Sequence, residues 1–365
     1  MHRYAPPVHE PTVRAYDERG IRWVADHIGA DQAGAARALA DRARPGRPVV
    51  DLGCGAGRYL PHLGAAVVGL DASATMLGAC RSAAPGAALI RGDLARLPFA
   101  RGALGGAWAW MSLHHIPRSE LPLTLGELQG ALAVGAPVSL QVVHGDQEGA
   151  GLPDDTVGGR YFAGWRADAL ADLVTGAGFT VDVGSVVAEG DTVRLGAVRA
   201  RTLADTVGPG MRLLVCGVNP SFYSADAGVG YARPGNRFWP AALASGIVPL
   251  DRDPRAALVR GVGMTDFVKR ASRTAAEVTR EEYASGLARV TRLVEWLRPG
   301  AVCFVGLSGW RSVVDPRAVA GPQLVGVGGR PVYVMPSTSG RNARTSVGVL
   351  AEHLRAASAL SDASG

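Results

Sequence analysis

Lysine is almost missing from this chain: Lys269 is the single one among 38 basic residues. A GC-rich coding sequence produces arginine excess of this kind, so the excess alone does not establish an acidic partner. Cysteine is scarce as well. Cys54, Cys80, Cys216 and Cys303 lie 26, 136 and 87 residues apart, and no pair has the spacing of zinc ligands, a redox pair, a cluster ligand set or a disulfide framework. Each reads as a small buried apolar residue, and no metal is expected. No apolar run approaches the roughly 18 uncharged residues of a membrane span. The first ten residues are polar, with Pro6 and Pro7, and lack the apolar centre of a signal peptide. The 49 glycines follow no short period, which excludes collagen-like and fibrous classes. These absences together predict a soluble, cytoplasmic, bacterial-type protein with no membrane partner.

What is present argues for two folded domains. The chain has 365 residues, 47% of them apolar and 19% charged, enough for sizeable cores and too apolar for a disordered class. Charge divides unevenly along it. Residues 1–200 carry 18 arginines against 20 acidic residues, a net of −2, and residues 201–365 carry 20 basic against 12 acidic residues, a net of +8. The whole positive excess therefore sits in the second half, where nucleic acid is a natural partner.

The first half alternates strand and helix signals. Strands are expected over residues 48–52, 66–70, 88–91, 107–111 and 137–143, with helical spacing over 73–82 and 121–133. Such alternation implies a parallel sheet with helices on both faces, binding its ligand at the carboxyl ends of the strands. A polar stretch with a Pro-Gly break, residues 201–210, then interrupts the pattern, which restarts with strands over 212–218, 301–306 and 331–335 and helices over 280–297 and 347–357. The tail after Ala357 reads as frayed. The predicted architecture is α/β throughout, with domains at 1–200 and 201–365.

In the first half, Val49-Val50-Asp51-Leu52-Gly53-Cys54-Gly55-Ala56-Gly57 sets an acidic strand end before three alternating glycines, which allow a tight turn and close approach of a ligand. Asp71 ends the next strand, where a carboxylate can accept both ribose hydroxyls, and Asp93 ends the third. The runs DLGCGAGRYL, VVGLDASATML, GDLARLPF and WMSLHHI resemble successive motifs of class I S-adenosylmethionine-dependent methyltransferases, over about residues 40–180. The resemblance implies a Rossmann-like sheet holding S-adenosyl-L-methionine. Asp51, Gly53, Gly55 and Gly57 would surround its methionine part, Asp71 would hold the ribose, Asp93 would face the adenine, and Ser112 would line the pocket. Ser112-Leu113-His114-His115 stands where base-amino methyltransferases carry an Asn/Asp-Pro-Pro-aromatic motif, and no Pro-Cys nucleophile is present. The methyl acceptor is thus unassigned, and His114 and His115 are expected as pocket residues, although a histidine there has the pKa range of a base.

In the second half, a buried strand delivers Asn219-Pro220, Tyr231 opens the run YARPGNRFWP, and a later strand leads into MPSTSGRNAR. Together with GVNPS and GVGMTDFVKR, these resemble in order the mismatch-specific uracil/thymine DNA glycosylase family of the uracil-DNA glycosylase superfamily, over about residues 203–357. The resemblance implies a three-layer α/β/α fold, double-stranded DNA with a mismatched or damaged base as partner, base flipping, and no cofactor for the glycosylase. It places Asn219 on the attacking water, Tyr231 against the extruded base and Arg341 as the wedge in the vacated stack. Asn236, Ser337, Ser339, Gly340 and Asn342 belong to the DNA-facing loops, whose hydroxyls and backbone donors suit phosphate. Asp266 stands where the family often has an amide or a basic residue. It is a candidate to activate water or bond the base edge, the structural alternative being a helix cap or a salt bridge with Lys269 or Arg270. An Asp in the first motif and a His-Pro-Ser loop, marks of the uracil-specific enzymes, are replaced here by Asn219 and Met335, and after His144 the chain's one histidine is His353.

Three readings follow. The first is a glycosylase acting on G·U or G·T mismatches, fused to a methyltransferase domain. The alternative is a nucleic-acid or small-molecule methyltransferase whose glycosylase-like domain only binds DNA. A third treats the first domain as a regulatory cofactor sensor.

Overall fold

The structure, a computed structural model, describes residues 9–26, 32–152, 155, 157–342 and 345–361. The chain divides into two compact units, Met1–Ala200 and Arg201–Gly365. Among the described residues no helix is long and apolar enough to cross a membrane.

The first unit is built on a sheet whose parallel strands are β1 (Val49–Leu52), β2 (Val67–Asp71), β3 (Ala88–Arg91), β4 (Gly106–Trp110) and β5 (Pro137–Val143). A two-stranded ribbon, β6 (Glu148–Ala150) with β7 (Tyr161–Ala163), stands apart. The strands β8 (Phe179–Val181), β9 (Val187–Glu189) and β10 (Thr192–Arg199) finish the sheet, with β10 antiparallel to β5, β8 and β9. The order is β3-β2-β1-β4-β5-β10-β8, so the winding reverses between β1 and β4. A ligand site is expected outside the carboxyl ends of those two strands. Helices α1 (Glu10–Asp26), α2 (Ala33–Asp41), α3 (Ala74–Ala83), α4 (Leu121–Ala131) and α5 (Ala167–Gly176) accompany the sheet. Ser73, read at sequence level as the first residue of a helix, is instead the N-cap of α3, its Oγ accepting from Met76 N at 3.1 Å.

The second unit has parallel strands β11 (Leu213–Gly217), β12 (Val262–Asp266), β13 (Ala301–Val305) and β15 (Val332–Met335), with the short β14 (Gly321–Pro322) antiparallel at one edge. Its order is β12-β11-β13-β15-β14. Every residue of β11, β13 and β15 is buried, as a parallel sheet covered on both faces requires. One face packs on α7 (Phe238–Ser245), α8 (Pro254–Val259) and α11 (Val347–Ala359), with Val215, Cys303, Trp239 and Leu354 in one cluster. On the other side Phe304 contacts Phe267 and also Trp310 of α10 (Leu307–Val313), while Phe267 meets Tyr283 of α9 (Arg280–Leu297) edge-on. The short α6 (Phe222–Ala227) follows β11. The capping box of Thr279 with Glu282 starts α9.

α11 runs to Ala359, two residues past its expected end, because Ala357 and Ser358 are buried and Arg212 bonds the Ser358 hydroxyl. Residues 362–365 of the tail expected to fray lie outside the described residues.

Candidate functional sites

At the switch point of the first unit lies a cavity of about 920 Å³. It is lined by Asp51, Gly53, Gly55, Asp71, Asp93 and Ser112, which therefore converge as expected, whereas Gly57 does not line it and lies against Cys80 of α3. Gly53 has φ 71°, and a Cβ there would meet the Ser112 Cβ at 2.4 Å. Only glycine fits that turn. Asp71 braces the loop: its carboxylate accepts from Gly55 N at 2.8 Å and from Ser73 N at 2.9 Å. Asp93 accepts from Ala95 N at 2.8 Å.

Asp51 is different. It is buried, and among the described residues its carboxyl makes no hydrogen bond or ion pair. Burial first, and then the Asp71 charge, push it up to about 8. Ser112 Oγ is likewise buried without a partner. A buried carboxyl and a hydroxyl left open toward a cavity suit a ligand that brings a cation and hydrogen-bonding groups. The sulfonium and amino-acid end of S-adenosylmethionine meets that description.

The far wall of the cavity comes from α1, which sequence reading missed. Asp17 Oδ1 accepts from Ser73 Oγ at 2.6 Å and Thr75 N at 3.2 Å, which docks α1 on the start of α3. The Tyr16 hydroxyl lies 2.9 Å from His115 Nε2, and Arg160 donates to it at 3.1 Å. His115 Nδ1 lies 2.7 Å from Tyr161 O, an acceptor, so Nδ1 carries the proton and Nε2 accepts from Tyr16. Burial, with the Arg160 charge adding to it and the Tyr161 bond opposing, lowers His115 to about 4. His115 is thus a neutral pocket wall and a weak base, both of whose ring nitrogens are already engaged. His114 is buried and held far below the usual histidine range by burial first and then by His115. The signal that α1 belongs to the site, a Tyr-Asp pair before the first strand, is too short to recognise in one sequence.

In the second unit the candidates gather at the carboxyl ends of β11 and β12. Gly217 is the register partner of Asp266, and the pairing continues as Phe267 N donates to Gly217 O and Val268 N to Val218 O, at 2.8 and 2.9 Å. Asn219, two residues beyond β11, spends both amide hydrogens on the opposite segment. Nδ2 donates to Arg270 O at 2.9 Å and to Ser272 Oγ at 2.8 Å. Its Oδ1 is the atom left to accept. Ser272 was not foreseen, since serine carries no signal until Asn219 is seen to need an acceptor.

Among the described residues Asp266 is neither a helix cap nor half of a salt bridge. Lys269 pairs with Asp205 and Arg270 with Glu282, and Asp266 closes a strand. A Cβ on Gly217 would lie 2.6 Å from Asp266 Oδ1 and 3.0 Å from Tyr231 Oη, so glycine makes room for both groups. Burial lifts Asp266 to about 6, with Lys269 and Arg289 pulling down and Asp205 pushing up. Tyr231 takes φ 58°, its ring stacks on Phe238 at 4.1 Å between centroids, and its hydroxyl is buried without a partner.

The two loops expected to face DNA are tied together by Arg237, another residue missed at sequence level. Its backbone N donates to Thr338 O, and its guanidinium reaches the carbonyls of Ser339, Asn342 and Thr345. Asn342 Nδ2 donates to Ser337 O and Thr345 Oγ1, and Asn236 Oδ1 accepts from Phe238 N. Ser337 and Ser339 hydroxyls accept from the backbone N of Ser339 and Arg341. Gly340 lies against the Gly235 carbonyl, and Arg341 is exposed at the loop tip. Ala343 and Arg344, the end of that motif, lie outside the described residues.

Comparison with known proteins agrees in outline. Residues 49–135 match the family model described as methyltransferase domain, and residues 204–358 match that of the uracil DNA glycosylase superfamily. Similar solved structures include an S-adenosylmethionine-dependent methyltransferase from Mesorhizobium loti, 20% identical, covering 47% of this chain and 99% of its own, with TM-score 0.39. Another is magnesium protoporphyrin IX methyltransferase from Synechocystis PCC 6803 with bound SAM, 18% identical, covering 55% of this chain and 100% of its own, with TM-score 0.40. By its two family matches the chain carries a methyltransferase domain over residues 49–135 and a uracil DNA glycosylase superfamily domain over residues 204–358.

Proposed function

We propose that the second unit is a mismatch-type DNA glycosylase, which hydrolyses the N-glycosidic bond of uracil, and secondarily thymine or a damaged base, opposite guanine in double-stranded DNA. The observation that supports this reading is the placement of Asn219 and Asp266 after and at the carboxyl ends of two paired strands, with Tyr231 beside Asp266. The target nucleotide leaves the stack, Arg341 fills the gap and Tyr231 stacks on the extruded base, a contact worth roughly 1–3 kcal/mol. An amide is a poor base, so Asn219 orients the water by accepting one of its hydrogens. Asp266 takes the proton as the new C1′–O bond forms and the base departs with the electron pair of the C1′–N bond. Backbone donors at the strand ends stabilise that anion. Free uracil released from a G·U duplex, and lost in Asn219→Ala, supports the reading; a DNA-binding protein that releases no base from G·U, G·T or single-stranded uracil substrates overturns it and leaves the binding-module alternative.

For the first unit we infer S-adenosylmethionine binding, with Asp51 and Ser112 at the methionine end, Asp71 at the ribose and Asp93 at the adenine. The bound group supplies an electrophilic methyl. The cavity, about 920 Å³, lies at the upper end of the roughly 300–1,000 Å³ of single-ligand pockets, leaving room for a small acceptor. Apart from Asp51, its lining sets the acidic Asp71, Asp93 and Glu120 against Arg58, which favours a neutral or cationic small molecule over nucleic acid. Incubation of the full chain with methyl-labelled cofactor and cell extract should place label in the small-molecule fraction; label in DNA or RNA would contradict this.

A further inference from the structure

Behind Asp266 lies a buried charge cluster that the catalytic reading does not use. Asp205 accepts from Lys269 Nζ at 2.8 Å and Thr265 Oγ1 at 2.7 Å on one oxygen, and from Arg289 Nη1 at 2.8 Å on the other. Arg289 Nη2 donates to Thr265 Oγ1 at 3.1 Å and onward to the Asp266 carbonyl at 2.7 Å. Asp205, Thr265 and Arg289 are all buried, and the Lys269 side chain is 10% exposed. Two cations thus share one carboxylate. The cluster carries one surplus positive charge where water cannot screen it, and such a charge stands only if another anion answers it.

Asp266, whose carboxyl Lys269 and Arg289 pull toward ionisation, is the candidate for that anion. Thr265 and Asp266 are consecutive in β12, so their side chains leave opposite faces of the sheet, the first toward Asp205 and the second beside Gly217 and Tyr231. The other ionisable groups near Asp266 are the Cys216 thiol on β11 and the Tyr231 phenol, both kept neutral by burial. Asp205 itself stays ionised, because Lys269 and Arg289 outweigh the penalty of its burial.

Building on the glycosylase reading, we propose that Asp205, Lys269 and Arg289 form a positioning device: their net positive charge holds Asp266 as a carboxylate, and the Arg289 fork fixes its backbone, so that Asp266 accepts the proton of the attacking water. The water O–H bond breaks toward Asp266 as the C1′–O bond forms, and the glycosidic electron pair leaves on the base. None of the three residues touches the substrate.

The test is the titration of Asp266 itself, followed by carbon NMR of carboxyl-labelled aspartates in the full chain and assigned by its loss in Asp266→Asn. Lys269→Met should raise the Asp266 midpoint by about one pH unit, and Asp205→Asn should lower it, opposite signs from one cluster. Arg289→Lys keeps the charge but not the fork, so it should leave the midpoint nearly in place while slowing G·U cleavage by roughly tenfold or more. The acid limb of the cleavage rate should move with the midpoint in each variant. A midpoint unmoved by both Lys269→Met and Asp205→Asn overturns the electrostatic role, and full activity in Arg289→Lys overturns the positioning role. A midpoint that moves without the acid limb overturns proton transfer to Asp266. If the wild type releases no base, the glycosylase reading and the proton step fall together, while the titration still decides the cluster's electrostatics.

Discussion

Asn219 and Asp51 show how two polar side chains are used in opposite ways. Asn219 has both donors satisfied by Arg270 and Ser272, so its position is fixed before any substrate arrives. Replacing it with alanine should slow single-turnover cleavage by about 10²–10³-fold and cost about 1–2 kcal/mol of stability for two lost hydrogen bonds, read by quench kinetics and urea unfolding. Asp51 is held in a state the fold pays for. With a folded pKa of about 8 against about 4 unfolded, it binds more protons when folded, so its destabilising effect grows from pH 4 to pH 8 and is flat above. Asp51→Asn should therefore raise the stability of the ligand-free first unit at pH 8 by about 1–3 kcal/mol, with the gain vanishing near pH 4. The same substitution should weaken S-adenosylmethionine binding by tenfold or more in calorimetry; unchanged affinity would remove Asp51 from the cofactor site.

Among the elements, the loops after β15 and before α7 depend on one guanidinium. Arg237 holds three carbonyls of the segment that carries Ser339, Gly340 and Arg341. The three donors of lysine radiate from one nitrogen and cannot reproduce the planar spread of the guanidinium, so Arg237→Lys should raise hydrogen exchange across residues 337–342 and weaken duplex binding by about tenfold, without unfolding the sheet. This clasp marks the boundary of what the sequence discloses. The strand ends at Asp51, Asp71, Asn219 and the loop at Ser337 are legible because glycine, proline and acidic residues follow apolar runs of fixed period. Arg237 and Ser272 act through partners far away in the chain, at spacings no local pattern encodes. β12 reads in the sequence as a motif rather than a strand, since Gly263 and Thr265 interrupt its apolar run, and pairing with β11 is what makes it one. The antiparallel β10 is hard to read from sequence because Arg194 and Gly196 interrupt its apolar run, and its buried residues alternate with more exposed ones.

For the whole chain, charge is the relevant property. The net +8 of residues 201–365 against −2 for residues 1–200 puts the anion-attracting field on the unit with the glycosylase residues. Duplex binding by the full chain should weaken by roughly tenfold or more between 50 and 200 mM salt, and Arg341→Ala should weaken it further at either concentration. Salt-independent binding would contradict a phosphate-tracking surface. The most direct test of the account is single-turnover cleavage of an end-labelled G·U duplex, with alkali to break abasic sites, for wild type, Asn219→Ala and Asp266→Asn. The account predicts strand breakage at the uracil by wild type, and a loss of about a hundredfold or more in each variant with duplex affinity retained. Wild-type binding without breakage at any uracil or thymine would contradict it.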